Sequence, residues 1–243
     1  AAGASLKEAG TEAGYYWLNR LIILAGGGTV WLFLITALLT VGLFYLAFYE
    51  QSEMFVLSVA LFFAAESYFI SLMYVRQFLA AALIVYGFRF IREKSFWKYA
   101  LCVLAAFLFH QSAILFLPLY VLCLVPIHPL VLTGLVAALS ALHDPLLRLL
   151  RWGLGFTKYA AYWDSVFLQH YRIYTYGLFK YAILFFVACF FYKKNRTDRF
   201  FVFSLNCLAV LVYLACNFDV MPQTDRISWY LELVVLFLIP LLV

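Results

Sequence analysis

Apolar runs long enough to cross a lipid bilayer recur along the chain, divided by short polar or charged turns, and few folds accept that pattern. The first such run, Thr29 to Phe48, holds no charged residue. A hydrocarbon core about 30 Å thick is spanned by roughly 20 apolar helical residues. Within it every backbone N–H and C=O needs an internal partner, so only helices or a closed barrel are allowed, and continuous rather than alternating apolar runs select helices. Composition agrees: 12% of the residues are charged and 67% hydrophobic, against roughly 25% and 45–50% in a soluble domain. The expected fold is all-α, a polytopic transmembrane helical bundle with broken or short helices and an outward-facing polar cavity. It is expected to form a single integral membrane domain over residues 1–243.

In chain order, Glu12 to Ala25 reads as an amphipathic helix on the membrane surface, with Tyr15, Tyr16 and Trp17 suited to the interface. Gly26, Gly27 and Gly28 end it. Thr29 to Phe48 crosses, Tyr49 to Glu53 turns, and Phe55 to Val75 crosses back carrying Glu66 and Ser67. A central hairpin pairs Phe78 to Phe88 with Phe96 to Phe109 around the basic turn Arg89 to Lys94. Beyond it come the run Ile114 to Val125, a turn at Pro126 to Pro129, and a run to Leu142. Residues 143–173 read as a long external loop with short helices. Tyr174 to Tyr192 and Phe200 to Cys216 cross on either side of the basic turn Lys193 to Arg199, and a polar segment, Asn217 to Arg226, leads into a last span, Ile227 to Val243. The 5 cysteines lie in or at the ends of apolar runs and read as small core residues. No cleavable signal-peptide pattern opens the sequence.

Two compact basic turns set the expected orientation. One holds Arg89, Arg92, Lys94 and Lys98, the other Lys193, Lys194, Arg196 and Arg199, and the positive-inside rule puts both in the cytoplasm. An even number of crossings must then separate them. One long helix from Phe96 to Leu124 would give an odd number, so the chain should bend near His110 and turn back. On this topology Lys7, Arg20, Arg76, Arg148, Arg151, Lys158, Arg172 and Arg226 fall on the outer side, as many cations as in the inner turns. Bulk charge therefore does not decide orientation. An anionic ligand, or lipid phosphates, accounts for the outward cations.

Arg76 and His110 are the first candidates for chemistry. Counted from the hairpin turn at ~1.5 Å per residue, Arg76 lies ~20 Å above Arg89 and His110 ~18 Å above Lys98, one depth within the far half of the membrane. An arginine at mid-helix costs roughly 2.5–3.5 kcal/mol to insert on translocon scales, so it normally faces a wet, protein-lined cavity. Snorkelling to head groups is the alternative. Arg76, His110 and Arg226 are expected to converge, with Glu66 deeper and Asp219 and Asp225 beside Arg226. Two arginines grip a diphosphate through planar, bidentate hydrogen bonds that lysine does not reproduce, and Arg172 in the outer loop is a third candidate. His110, Glu66 or an aspartate, foremost Asp225, would take a proton from a sugar hydroxyl. Trp163, Tyr171, Tyr174 and Trp229 suit stacking on sugar rings or an ordinary aromatic belt. No Gly-rich phosphate loop, acidic pair at metal spacing, or nucleophilic Ser or Cys beside an arranged base is visible. No metal, cofactor or nucleic-acid partner is expected. That disfavours a cytosolic-facing transferase using a nucleotide sugar and leaves a lipid-linked donor.

Several segments carry a resemblance. They are Glu12-x-Gly14-Tyr15, VRQFLAAALIVYGF (Val75 to Phe88), FWKYALCVLAAFLFHQSAILFLPLY (Phe96 to Tyr120) and DRISWYLELVVLFLIPLL (Asp225 to Leu242). In this order they resemble the EpsG/Wzy-type family of bacterial exopolysaccharide and O-antigen polymerases, from about Glu12 to the end. The arginine-glutamine, the histidine-x-serine-alanine and the terminal Arg226-x-x-x-Tyr230 are the most telling matches. Family members begin with an earlier hydrophobic helix and an outward loop containing a glycine, an aspartate and a tyrosine. This chain lacks both, so either such a segment is expected upstream or this member is shortened, and an acidic residue in such a segment would compete with His110 for the role of base.

The resemblance implies a membrane glycosyltransferase, independent of metal and nucleotide. It would move a growing glycan from undecaprenyl pyrophosphate onto another lipid-linked oligosaccharide repeat unit at the outer face of the cytoplasmic membrane. Arg76 and Arg226 would neutralise the leaving pyrophosphate, and His110 would orient or deprotonate the acceptor. Gln77, Ser112, Tyr230 and Asp219 would position the substrate. Membrane lipids, a flippase and a chain-length regulator are the expected partners. The rival readings are an O-antigen ligase or other lipid-linked-sugar glycosyltransferase, a lipid-linked glycan transporter, and a non-catalytic scaffold. No inverted repeat favours transport and no prominent small-xxx-small face favours a scaffold.

Overall fold

The computed structural model describes residues 10–156, 175–217 and 224–243. It is 83% helical with no strand among the described residues, as an all-α membrane bundle requires. Among the described residues Thr29–Gln51 and Arg199–Cys216 are long and apolar enough to cross a membrane, and two bent pairs give up to 4 such spans if each pair is one broken span. The chain is a membrane protein. It divides into two compact units, residues 1–121 with 235–243, and residues 122–234.

In the first unit α1 is Ala13–Leu24, at ~18 Å too short to cross. It ends where Gly26 takes φ +80° and where Gly27 packs so tightly that an added Cβ would lie 2.7 Å from Ile22 Cγ2. Helix α2, Thr29–Gln51, buries Thr36 and Thr40, whose hydroxyls donate one turn back to the carbonyls of Leu32 and Thr36 (2.6 and 2.8 Å). The span expected over Phe55 to Val75 is instead two helices, α3 (Phe55–Ala64) and α4 (Ser67–Met73), bent by 57°. Glu66 causes the break: it adopts a left-handed conformation, φ +61°, which ends a right-handed helix.

Helices α5 (Val75–Gly87) and α6 (Phe96–Phe107) form the central hairpin. They approach so closely that a Cβ on Gly87 would lie 3.0 Å from Cys102 Cβ. After α6 the chain breaks at His110, which is extended (φ −155°, ψ 121°). It then returns along α6: Tyr99 Oη donates to the Phe116 carbonyl at 3.0 Å, and the Tyr120 ring lies 5.1 Å from Phe96. The run expected over Ile114 to Val125 is not one regular helix but short turns, Gln111–Leu115, Phe116–Leu119 and Tyr120–Cys123. Pro118 has no N–H for the Ile114 carbonyl and so interrupts it. At the hairpin turn Arg89 pairs with Glu50 (2.6 Å) and Arg92 with Glu53 (3.7 Å). The turns after α2 and after α5 therefore share one end of this unit.

The second unit holds α7 (Pro129–Ala141), α8 (His143–Leu154), α9 (Thr175–Phe190), α10 (Arg199–Cys216) and α11 (Thr224–Glu232). Asp198 starts α10 by accepting from the N–H groups of Phe200 and Phe201 at 2.7 and 2.9 Å. At this end Tyr192 Oη donates to the Pro126 carbonyl (2.9 Å), which sets the Pro126 to Pro129 turn beside the Lys193 to Arg199 turn. At the far end of α10, His143 Nδ1 lies 3.0 Å from Tyr213 Oη, and Asn217 Nδ2 donates to Ser140 Oγ at 3.2 Å. These contacts hold the 69° bend between α7 and α8. The expected external loop thus begins as α8, and residues 157–174 lie outside the described residues.

The last expected span, Ile227 to Val243, is broken at Leu233 and Val234 into α11 and α12 (Val235–Leu242), and α12 belongs to the first unit. Pro240 inside α12 deprives the Leu236 carbonyl of its helical donor. The buried hydroxyl of Ser58 on α3 supplies one at 2.6 Å. Around this bond Phe44, Phe48, Phe62, Phe88 and Phe237 interleave, with ring centroids 4.6 Å apart for Phe44 and Phe62 and 5.4 Å for Phe48 and Phe237.

Candidate functional site

The polar cluster of the first unit lies at the end of α5 opposite the basic turn. Arg76 sits in the first turn of α5 and His110 just past α6, so the hairpin delivers both to one end. Between them stands Glu12, the residue before α1. Arg76 Nη1 donates to Glu12 Oε2 at 2.5 Å and to Thr11 Oγ1 at 3.0 Å. His110 Nδ1 is 3.2 Å from Glu12 Oε1. A single carboxylate therefore bridges a guanidinium and an imidazole. The Tyr15 ring lies 5.8 Å from the Arg76 guanidinium carbon.

Gly14 explains how this is built. Its N–H, near the start of α1, donates to the carbonyl of Leu108, just past α6, at 2.7 Å. A helix start has spare donors and a helix end spare acceptors, so the two satisfy each other. A Cβ at Gly14 would lie 2.8 Å from the Leu108 oxygen and 3.0 Å from its Cβ, which leaves room for glycine alone. Glu12 precedes Gly14 by two residues and His110 follows Leu108 by two, so this one backbone contact sets the carboxylate on the imidazole.

The side chains of Glu12 and His110 are 12% and 16% exposed, whereas that of Arg76 is 43% exposed. Burial raises the pKa of Glu12; its own backbone N–H, the Arg76 guanidinium and the His110 imidazole more than offset this and hold it below its ordinary value. The ionised Glu12 carboxylate, 3.2 Å from Nδ1 of His110, favours a proton on that nitrogen by its charge, and in that tautomer Nε2 keeps the lone pair for proton transfer. Gln77 is buried beside Arg76. The Ser112 hydroxyl is buried without a hydrogen-bond partner among the described residues.

The other residues singled out from the sequence lie on other elements. Glu66 is exposed at the α3–α4 break and makes no ion pair among the described residues. Arg226 and Tyr230 lie on α11 of the second unit, Tyr230 being buried, and Asp225 is the second residue of that helix. Arg172 and Asp219 lie outside the described residues. Sequence reasoning missed two features. Glu12 entered only as part of a motif, though its spacing from a glycine at a helix start was a usable signal. Lys180 on α9 and Glu232 at the end of α11 entered not at all: they form an ion pair in the second unit, joined by Tyr181 Oη, which donates to Glu232 Oε2 at 2.9 Å. Two opposite charges inside apolar runs were the signal there.

No curated protein and no solved structure matches this chain. The model of the EpsG family matches residues 3–243, which takes in Glu12, Gly14, Arg76, His110, Arg226 and Tyr230 together. The chain belongs to the EpsG family, and its role is of the polysaccharide-polymerase type.

Proposed function

We propose that the protein extends a polysaccharide by transferring a growing glycan from undecaprenyl pyrophosphate onto a lipid-linked oligosaccharide repeat unit, at the outer face of the bacterial cytoplasmic membrane. An acceptor hydroxyl attacks the anomeric carbon of the donor, a new glycosidic bond forms, and the bond from that carbon to the pyrophosphate oxygen breaks. The hydroxyl proton passes to His110 Nε2. Negative charge grows on the departing pyrophosphate and is neutralised by Arg76 and Arg226, the stage at which cationic donors lower the barrier most. Gln77, Ser112 and Tyr230 position the substrate. Arg172, Asp219 and Asp225 belong to the same reading, as further anion-binding and acid–base groups. A flippase supplying the repeat unit and a regulator of chain length are its natural partners.

The observation that carries this reading is the bridged cluster: a half-exposed guanidinium and a carboxylate-oriented imidazole held together at one end of a helical hairpin. The grip on an anion needs the first and the proton transfer needs the second. The test is a reconstituted reaction with purified protein, a synthetic undecaprenyl-pyrophosphate repeat unit and a chelator, its products resolved by gel or mass spectrometry. A ladder of lengthening glycans, lost in Arg76→Ala and Arg226→Ala, is expected. Substrate binding without a ladder would favour a ligase awaiting another acceptor, or a transporter.

A further inference from the structure

Glu12 has two claimants. Its carboxylate is 12% exposed, so water screens it little, and Arg76 and His110 are the charged groups whose fields reach it among the described residues. The Tyr15 ring, on α1, lies 5.8 Å from the Arg76 guanidinium carbon. Among the described residues Arg76 is held at one corner, since Thr11 and Glu12 both accept from Nη1. The rest of a side chain that is 43% exposed is open to a ligand.

We propose that Glu12 couples the two halves of this site: its carboxylate occupies Arg76 until a diphosphate ester takes the guanidinium, and it then serves the His110 imidazole alone. This rests on the reading of Arg76 as the pyrophosphate-binding residue. Before the donor binds, Arg76 draws on the charge of Glu12 and weakens its hold on His110. Once a diphosphate has replaced Glu12 on the guanidinium, the full carboxylate charge favours proton acceptance by the imidazole. The base is strengthened only when a leaving group is in place. By thermodynamic reciprocity, protonation of His110 and anion binding must favour each other. Glu12 is a positioning residue here and touches no substrate.

Inorganic pyrophosphate is titrated calorimetrically into the full chain in detergent, near pH 6.5 where an ordinary imidazole is half protonated, in buffers of different ionisation enthalpy. The wild type is expected to take up a fraction of a proton on binding, and both Glu12→Gln and His110→Gln to lose that uptake. Glu12→Gln should also bind about tenfold tighter, because the internal competitor is gone. Uptake that persists in Glu12→Gln would mean that the anion acts on His110 directly, and would overturn the coupling while leaving the clamp intact. Weaker binding in Glu12→Gln would overturn it too. If pyrophosphate does not bind at all, the clamp itself falls. The coupling is then decided without ligand, by the His110 ring titration followed by NMR in Arg76→Gln and in Arg76→Gln/Glu12→Gln. A rise in the midpoint that needs Glu12 supports it, and an equal rise in both variants rejects it.

Discussion

Arg76 offers the sharpest test at the residue scale, because charge and geometry can be separated there. A lysine would still neutralise Glu12, but it cannot present two parallel N–H groups to a diphosphate. Arg76→Lys is therefore expected to lose activity almost as completely as Arg76→Ala in a polymerisation assay, and a fully active lysine variant would reject the bidentate role. Glu12 makes a second prediction, from its lowered pKa. A carboxylate whose folded-state value is depressed adds stability above its unfolded value and loses it as pH falls through the folded one. The docking of α1 should thus be constant at neutral pH and weaken below the ordinary value of 4.5. Exchange of the Gly14 amide hydrogen, compared with that in Glu12→Gln, would follow it; identical pH dependence in the two would remove Glu12 from the docking. Arg76 and His110 could be read as partners from the sequence because helical rise converts residue counts into depth. Glu12 could not, since its contact with them depends on a close approach that a single glycine permits.

At the scale of elements, small or isolated side chains decide which helices can touch. Gly14→Ala would force α1 off the end of α6, and overpacking of this kind costs typically about 1–3 kcal/mol. The loss of activity should exceed the loss of thermal stability, because the carboxylate leaves the imidazole while the phenylalanine core stays whole. In the second unit Lys180→Met would leave the largely covered Glu232 without its cation, a defect approaching the ~3–5 kcal/mol of a fully buried pair, whereas Lys180→Met/Glu232→Leu should be far milder. Thermal unfolding in detergent separates the two outcomes: a double variant as unstable as the single would mean that the pair is not what holds α9 to α11. These elements also mark the limit of what the sequence disclosed. Apolar runs gave the helices, yet not the breaks at Glu66 or at Leu233 and Val234. A left-handed glutamate and a chain passing between two units leave no periodic trace, whereas Pro118 and Pro240 were visible and their effects follow from a missing N–H.

For the whole molecule the open quantity is orientation, and parity constrains it. In the first unit the chain turns at His110 and comes back to Tyr120 beside Phe96, at the end that holds the basic turn. In the second unit Pro126 lies against Tyr192, at the end that holds the other basic turn. Tyr120 thus lies at the basic end of the first unit and Pro126 at the basic end of the second, and an even number of crossings between Lys98 and Lys193 is the expectation to be tested. If the positive-inside rule governs both turns, single cysteines replacing Lys94, His128 and Arg196 in a cysteine-free background should all react with a membrane-impermeant thiol reagent from the cytoplasmic side. Labelling of position 128 from outside would break the parity. Labelling of position 94 from outside would instead place Arg76 and His110, at the opposite end of the hairpin, on the cytoplasmic side, where a lipid-linked donor presented at the outer face could not reach them.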